Sequence, residues 1–156
     1  MQTPQDILNY CELLVSDAIV LKNKYIEFHD IPANYACIFS HSEEQYSDLN
    51  NLAAQLGPVI KETTMGPIYH VKPFSTKAGP IQLIKIRKPD AAKPQRGYVD
   101  FTIADYSSFK EKYLKLPNFT HIVRDYEEMV GIEDPDFDFF VYFANPPVDK
   151  QLGLVK

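Results

Sequence analysis

Hydrophobic residues follow two different periods along this chain, and the change between them marks the predicted elements. Near the N-terminus, apolar side chains recur at the three- and four-residue spacing of a helix with one buried face: Ile7, Cys11, Leu14, Ala18 and Leu21. Thr3 is a favourable N-cap residue, and Pro4 suits the first helical position. We therefore predict a helical extension within residues 1–30.

The segment "ANYACIFS", residues 33–40, alternates instead with the period of two that is typical of a strand. Tyr35, Cys37 and Phe39 are expected to face one side of it, and Ala36 and Ile38 the other. The segment "SHSEEQYSDLNNLAAQLG" then predicts a helix with an acidic first turn. Three strand candidates follow, separated by the turn signals "MGP" and "KAGP". This half is therefore predicted to run strand, helix, strand, strand, strand.

The second half repeats this order from "YVDFTI" to "FDFFVYFA", with one helix in "ADYSSFKEKYLKL". An offset of 63 positions places Tyr35 on Tyr98 and Tyr46 on Phe109, so the character of the residues also matches. A repeat of this kind indicates two copies of one βαβββ module, joined by the spacer in "IRKPDAAKPQRGYVDFTI". We predict an α+β fold in which the paired modules form a curved, barrel-like mixed sheet with an extra N-terminal helix.

The expected boundaries are residues 31–92 for the first module, 93–148 for the second and 149–156 for a C-terminal tail. Together with the helical extension they are expected to form one compact domain. A single module would leave one face of its sheet in water, and pairing encloses that face.

Charge and cysteine content narrow the function classes. The net charge is -5 without a run of Lys and Arg, which argues against nucleic acid as the main partner. Two cysteines are too few for a disulfide framework, and the first residues lack the pattern of a secretory signal. No apolar run approaches the ~20 residues that span a membrane. We therefore expect a cytoplasmic protein without a membrane partner.

The paired module, with "NYACIF" in its first strand and "RGYVDFTI" in its fifth, resembles the vicinal oxygen chelate superfamily of glyoxalases, bleomycin-resistance proteins and extradiol dioxygenases. The resemblance covers residues 31–145. It implies sheets that curl around a cavity, and a divalent metal ion held by inward side chains of strands one, four, five and eight. Dimers are common in that superfamily, so the resemblance also admits a homodimer.

The residues at the implied metal positions depart from the family pattern. Tyr35 and Tyr98 stand where the first and fifth strands often carry His, and Lys85 stands at the fourth-strand position. The eighth-strand position falls near Phe140 or Tyr142. Phenols and an ammonium group are poor ligands for Zn²⁺, Ni²⁺ or Fe²⁺. We therefore predict no cofactor at these positions, although a divalent metal remains the alternative.

Two cations on one strand suggest a different ligand. Lys85 and Arg87 alternate with isoleucines, so both cations share one face of the fourth strand. If that face is inward, Lys85 and Arg87 would line a cavity with Tyr35, Tyr98 and Asp100, and Arg could grip a carboxylate or phosphate in a bidentate manner. The alternative is that this face is simply solvated.

Asp100 and the histidines leave further alternatives open. A mid-strand carboxylate must be paired or hydrated, so Asp100 is either a structural ion-pair partner, for which Lys85 and Arg87 are the candidates, or a general base with a shifted pKa. No two of the four histidines have a metal-ligand spacing. His70 with Asp100 and Glu128 forms the fallback metal cluster.

Three functions remain after these considerations. The favoured hypothesis is a glyoxalase-like protein that binds a small anionic or aromatic molecule between its modules without a metal. The second is a metal-dependent lyase, isomerase or dioxygenase, in which the ion acts as a Lewis acid. The third is an interaction module whose cavity is filled by its own side chains. Whether the protein is an enzyme stays open, because one fold supports many functions.

Overall fold

The computed structural model describes residues 1–27 and 30–155 and has an N-terminal helix followed by two successive βαβββ units. His29 lies outside the described residues. The helices are α1 (Pro4–Tyr25), α2 (Glu43–Ala54), α3 (Tyr106–Tyr113) and α4 (Val148–Gln151). The strands are β1 (Ala33–Phe39), β2 (Val59–Thr63), β3 (Gly66–Phe74), β4 (Ile81–Arg87), β5 (Gly97–Phe101), β6 (Phe119–Val123), β7 (Glu128–Ile132) and β8 (Phe140–Asn145).

Helix α1 begins where the sequence predicts. The Thr3 hydroxyl accepts a hydrogen bond from the backbone N–H of Asp6, and the Asp6 carboxylate accepts one from the backbone N–H of Thr3. This reciprocal capping box satisfies two N–H groups that the first helical turn would otherwise leave unpaired. Every residue of the predicted apolar stripe is fully buried: Ile7, Cys11, Leu14, Ala18 and Leu21.

All eight strands form one mixed sheet in the order β2-β3-β4-β1-β5-β8-β7-β6. Within each unit the first strand pairs parallel to the last, β1 with β4 and β5 with β8. The two units meet through the antiparallel pair β1 and β5. The architecture is therefore the predicted α+β fold, a curved mixed sheet with an extra N-terminal helix.

The register at the junction shows a local twofold relationship between the units. Ala36 lies opposite Val99, and Tyr35 and Tyr98 are likewise 63 positions apart. An antiparallel pair that contains a twofold axis places one residue opposite its own equivalent at the axis, and the residues on either side exchange partners. The neighbouring pairs obey the same rule, because Tyr35 faces Asp100 while Cys37 faces Tyr98. The offset of 63 inferred from the sequence therefore relates β1 to β5. Lys85 of β4 and its counterpart Tyr142 of β8 are instead 57 positions apart.

The two faces of the sheet differ in composition. One face packs under the helices and is apolar, with Ala36, Ile84, Ile86 and Val99 in the main core and α1 against β1, β5 and β8. The opposite face carries Tyr35, Cys37 and Phe39 of β1, as the alternation predicts, and they belong to a second, smaller cluster. Lys85 and Arg87 lie on this second face, which curves around a cavity.

The sheet is curved but does not close into a barrel. Strands β2 and β6 remain its edges, so the barrel-like part of the prediction holds only for the curvature. Side chains nevertheless meet across the opening: the Lys61 amine of β2 lies 4.6 Å from the centre of the Tyr126 ring, in the turn between β6 and β7. The two distant ends of the sheet therefore approach each other over the cavity.

Two local expectations need correction. The segment "ADYSSFKEKYLKL" predicts a helix that points Leu116 inward, but α3 ends at Tyr113 and Leu116 is 42% exposed. The predicted C-terminal tail contains most of α4, which packs against β1 and buries Val148 among the aromatic residues of the second cluster. Among the described residues, every helix falls short of a bilayer crossing in length or in apolar character.

Candidate functional site

Strand register brings the predicted site residues into two adjacent rows across the concave face. The first row runs over strands β3, β4, β1 and β5 through Ile68, Lys85, Cys37 and Tyr98. Neighbouring strands lie about 4.8 Å apart, so these side chains emerge within a span of about 15 Å. This row places an amine, a thiol and a phenol side by side.

The second row is the counterpart of the first in the other unit. It runs over β7, β8, β5 and β1 through Gly131, Tyr142, Asp100 and Tyr35. Gly131 is required here, because a Cβ atom at this position would lie 2.6 Å from the Tyr142 ring and 2.8 Å from a hydroxyl oxygen. The absent side chain therefore makes the space in which the Tyr142 ring lies.

Five residues of these rows lie in the floor of a cavity of about 280 Å³ between the two units: Tyr35, Ile68, Lys85, Tyr98 and Tyr142. Four of the five predicted ligand-binding residues line it, namely Tyr35, Lys85, Arg87 and Tyr98. The volume suits one small molecule, at the lower end of the range for ligand pockets. The inward orientation of the two cations, left open by the sequence, is therefore established.

The cavity wall is strongly cationic although the chain is acidic. Five basic side chains line it: Lys61, Lys85, Arg87, Lys93 and Arg124. Among the lining residues the single carboxylate is Glu127, which accepts hydrogen bonds from Arg124 at 2.8 Å and from Gln151 of α4 at 2.9 Å. The concentration of positive charge in a protein of net charge -5 favours entry of an anion.

Three of the cations lie over aromatic rings. The Arg87 guanidinium lies 4.6 Å from the centre of the Phe39 ring, with a distant ion pair of 3.5 Å to Asp90. The Lys93 amine lies 5.2 Å from the centre of the Phe140 ring, and the Lys61 amine lies over the Tyr126 ring. A cation held over a ring keeps its charge available, because the ring neutralises none of it.

Lys85 differs from the other cavity cations. Among the described residues it has neither an ion pair within 4 Å nor a ring beneath its amine, and its side chain is half-buried. Burial lowers the pKa of the Lys85 amine, and the positive charges of Arg124 and Arg87 lower it further. Cys37 and Glu127 act in the opposite direction and raise this pKa. A half-buried amine without a carboxylate is electrostatically uncompensated until an anion enters.

Aromatic rings cover the rest of the floor. Tyr98 is central, with its ring centre 5.6 Å from that of Tyr35, 5.9 Å from that of Phe39 and 5.1 Å from that of Tyr142. All three contacts are edge-to-face, which the charge distribution of aromatic rings favours. The cavity thus combines an apolar, planar floor with a basic wall.

A hydrogen bond joins the two equivalent tyrosines across the local twofold axis. The Tyr35 and Tyr98 hydroxyl oxygens are 2.7 Å apart, and either can donate. Burial raises the pKa of both phenols well above its usual value. Both are therefore neutral donors at physiological pH. The pair has two hydroxyl hydrogens and uses one in the mutual bond, and the second can go to the Cys37 sulfur, which the Tyr98 hydroxyl also contacts, or to a ligand oxygen.

Asp100, the fifth predicted ligand-binding residue, does not line the cavity. It is completely buried beside Tyr35, and its Oδ1 accepts a 3.2 Å hydrogen bond from the backbone N–H of Ala144. Its Oδ2 has no hydrogen-bond partner in the described part of the chain. The suggested ion pair with Lys85 or Arg87 is therefore wrong. Burial raises the pKa of the Asp100 carboxyl well above its usual range, which favours the neutral acid.

The fallback metal cluster does not assemble. The His70 ring is hydrogen-bonded to Gln82 at 3.0 Å, whereas Glu128 accepts hydrogen bonds from Lys110 at 2.8 Å and from His121 at 2.6 Å. Asp100 is buried in the sheet, where its carboxyl accepts a hydrogen bond from the backbone of β8 at Ala144. Residues 1–27 and 30–155 contain no group of three or more His, Cys, Asp or Glu side chains that could hold a metal ion.

The metal positions that the family resemblance implies do converge on the cavity. Tyr35, Lys85, Tyr98, Phe140 and Tyr142 all line it. Their donor atoms do not fit a divalent ion, since high-pKa phenols and an amine replace the neutral imidazoles and carboxylates that such ions need. These side chains therefore line the cavity without offering a donor set for a divalent ion.

Sequence reasoning missed most of the cavity wall. Phe39 and Tyr142 could be found, because each alternates with buried core residues on a predicted strand. Lys61 lies on β2, whose position opposite the second unit depends on the curvature of the whole sheet. Lys93 lies in the spacer and Arg124 in a turn, where no periodicity indicates which way a side chain points.

Comparisons with known proteins support the fold. A solved structure described as a structural genomics protein, Protein EC4020, superposes with a TM-score of 0.71 at 10% sequence identity, covering 97% of this chain and 92% of that chain. No family model matches the chain. No curated protein shows significant sequence similarity to it. At this identity the likeness extends to the fold alone, so the function has to be argued from the cavity.

Proposed function

We propose that this protein binds a small organic anion with an aromatic or flat apolar body in the cavity between its two units, without a metal ion. The observation that carries the proposal is the basic wall: five cationic side chains and one already paired carboxylate surround a cavity of about 280 Å³ in an acidic chain. Cations that outnumber the carboxylates around them are stabilised when an anion binds among them.

Each part of the ligand has a matching part of the cavity. The planar Arg87 guanidinium, stacked on Phe39, suits a carboxylate or phosphate because it presents paired N–H donors. Tyr98 and Tyr142 offer apolar ring surface to the body of the ligand, and the Tyr35–Tyr98 pair offers one O–H to a further oxygen atom. A neutral molecule would use the floor and leave the wall unsatisfied.

The repeated βαβββ order supports a second, independent proposal, that the chain is a divergent member of the vicinal oxygen chelate superfamily. Its support is the sheet order β2-β3-β4-β1-β5-β8-β7-β6 and the convergence of the four implied ligand positions on one cavity. The donor atoms at those positions give no support to the metal-dependent lyase, isomerase or dioxygenase chemistry. Membership and metal-free binding are therefore compatible.

Calorimetric titration with 4-methylbenzoate tests the binding proposal, with 4-methylbenzyl alcohol as the neutral molecule of the same shape. The acid is expected to bind at one site, and the alcohol at least about tenfold more weakly, because hydrogen bonds to charged groups contribute about 1.5–3 kcal/mol. Equal affinity for the two compounds would contradict the role of the basic wall. If neither compound produces a heat of binding, the result would favour the alternative in which the cavity is filled by the protein's own side chains and binds no small molecule.

A pair of variants locates the binding energy. Arg87→Gln removes a charge inside the cavity and is expected to weaken 4-methylbenzoate binding by about 1.5–3 kcal/mol. Lys88→Gln removes the same charge from the next residue, which is exposed and does not line the cavity, and its affinity should stay at the wild-type value. Equal losses in both variants would show that the acid responds only to the overall charge of the protein.

A further inference from the structure

We infer that Lys85 is a nucleophile that forms a reversible imine with a carbonyl compound carrying an anionic group. The inference deepens the proposed function, on which it rests, by naming the ligand as an aromatic aldehyde or ketone with a carboxylate or phosphate. Three features of the cavity carry it: the isolation of Lys85, the charges around its amine, and the separate anion-binding groups beside it.

The first feature is that Lys85 is the cavity cation without a partner among the described residues. Arg124 is bonded to Glu127, Arg87 is stacked on Phe39, and the amines of Lys61 and Lys93 lie over aromatic rings. A structural lysine would be expected to have a carboxylate within ion-pair distance. An amine that has none keeps its lone pair accessible once it loses its proton.

The second feature is the surroundings of the amine. Lys85 is half-buried, next to Cys37 in the register and on the same strand face as Arg87. Arg124 acts on it from the turn after β6, and the opposing Glu127 is already bonded to Arg124. Desolvation and adjacent cations are the two ways in which proteins make a lysine neutral enough to act as a nucleophile.

The third feature is that anion binding does not need Lys85. Arg87 lies two residues along the same strand, and Lys61 and Lys93 line the same cavity. A ligand whose carboxylate or phosphate is bound by these groups, and whose ring lies on Tyr98 and neighbouring rings, can present a carbonyl carbon to the remaining amine. Such positioning makes the addition effectively intramolecular.

The chemistry balances without a cofactor. The Lys85 ammonium releases a proton to solvent, and its nitrogen lone pair forms a C–N bond to the carbonyl carbon while the carbonyl oxygen takes up a proton. The nitrogen then passes one proton to solvent to give the neutral carbinolamine. Protonation of its hydroxyl releases water as the C=N bond forms, and the resulting protonated imine is in acid–base equilibrium with the neutral imine by loss of the last nitrogen proton. The Tyr35–Tyr98 pair lines the same cavity and has one O–H outside its mutual bond for the oxygen atom.

The test traps the imine with 4-formylbenzoate and sodium cyanoborohydride, and reads the modified lysine by mass spectrometry of peptides. We expect a single fast adduct at Lys85, forming at least about tenfold faster than at exposed Lys115, because binding raises the effective concentration of the aldehyde. An excess of 4-methylbenzoate should suppress the Lys85 adduct and leave the slow Lys115 adduct unchanged. Equal rates at the two lysines would overturn the inference.

A variant adds a second, separable result. Lys85→Arg keeps the positive charge but cannot form an imine, and it should lose the fast adduct when compared with wild type at matched occupancy by 4-formylbenzoate. A fast adduct that persists in the variant, at another cavity lysine, would refute the assignment to Lys85. Saturable binding of 4-methylbenzoate together with no fast adduct would refute the imine and leave the proposed function standing. Failure of 4-methylbenzoate to bind would refute the proposed function itself.

Discussion

The two units of this protein place different chemistry on the same backbone plan. Where the first unit has the Lys85 amine beside the Cys37 thiol, the second has the Tyr142 phenol beside the Asp100 carboxyl. These positions are equivalent under the local twofold relationship defined by the register of β1 and β5. The backbone fixes where side chains meet, and the residues at equivalent positions decide what the cavity can hold.

Because of this difference, the two ends of the cavity are chemically unlike. The first unit and the spacer supply Lys61, Lys85, Arg87 and Lys93, whereas the second unit supplies more of the aromatic floor. A symmetric cavity would bind a symmetric ligand in either orientation. This one is expected to hold the anionic end of a ligand toward the first unit and its ring toward the second.

The largest structural effect is expected at the pair of equivalent positions Ile68 and Gly131. Gly131→Ala would place a Cβ atom 2.6 Å from the Tyr142 ring, so the ring must move, and we expect a loss of about 1–3 kcal/mol in the free energy of unfolding. Chemical denaturation measures this loss. Tyr142→Ala removes the obstructing ring, and in that background Gly131→Ala should have a much smaller effect. Additive losses would contradict the steric role of Gly131.

Asp100 is expected to make stability depend on pH. Burial raises the pKa of its carboxyl in the folded protein, while the unfolded chain has the ordinary value of about 3.9. As pH rises above about 4, the unfolded state loses a proton that the folded state retains, so this group lowers the free energy of unfolding with increasing pH. Asp100→Asn should remove that decline and stabilise the protein at neutral pH by roughly 1 kcal/mol.

Cys37, the counterpart of Asp100, provides the matched control for this pH dependence. Burial raises the pKa of its thiol to about 12, so it does not titrate between about pH 4 and pH 8. Cys37→Ser should change stability by the same amount throughout that range. Denaturation curves for Asp100→Asn that run parallel to wild type across this range would show that Asp100 is ionised in the folded protein.

An effect of similar or smaller size is expected at the hydroxyl pair that joins the two units, Tyr35 and Tyr98. Tyr35→Phe and Tyr98→Phe each remove one end of the 2.7 Å hydrogen bond. A double-mutant cycle on the free energy of unfolding should give a coupling energy of about 0.5–1.5 kcal/mol, the usual contribution of a neutral hydrogen bond. Zero coupling would mean that the two hydroxyls are independent in solution.

The sheet could be predicted from the sequence because side chains along a strand alternate between the two faces of the sheet. Tyr35, Cys37 and Phe39 share the cavity face as expected, and Lys85 with Arg87 lines the cavity. Periodicity indicates which side chains share a face, but not how deeply each is covered. The alternation places Asp100 on the cavity face of its strand. Asp100 is nevertheless completely buried and does not reach the cavity, and its Oδ1 accepts a hydrogen bond from the β8 backbone.

The rest of the site depends on contacts between segments that are far apart in the chain. Arg124 belongs to the wall because the turn after β6 approaches the opposite edge of the sheet, where Lys61 meets Tyr126. Gln151 reaches Glu127 because a short helix forms in the segment that was expected to be a tail. Such contacts follow from curvature and docking, which leave no periodic signal in the sequence.

The most direct test of the central claim is to locate a bound anion by NMR. Titration with 4-methylbenzoate should shift and saturate the resonances of Tyr35, Tyr98 and Arg87, and should leave those of Ile103 and Lys115, away from the cavity, unchanged. That result would place the anion between the basic wall and the aromatic floor. Saturating shifts at Ile103 or Lys115 with none at Tyr98 would contradict the account.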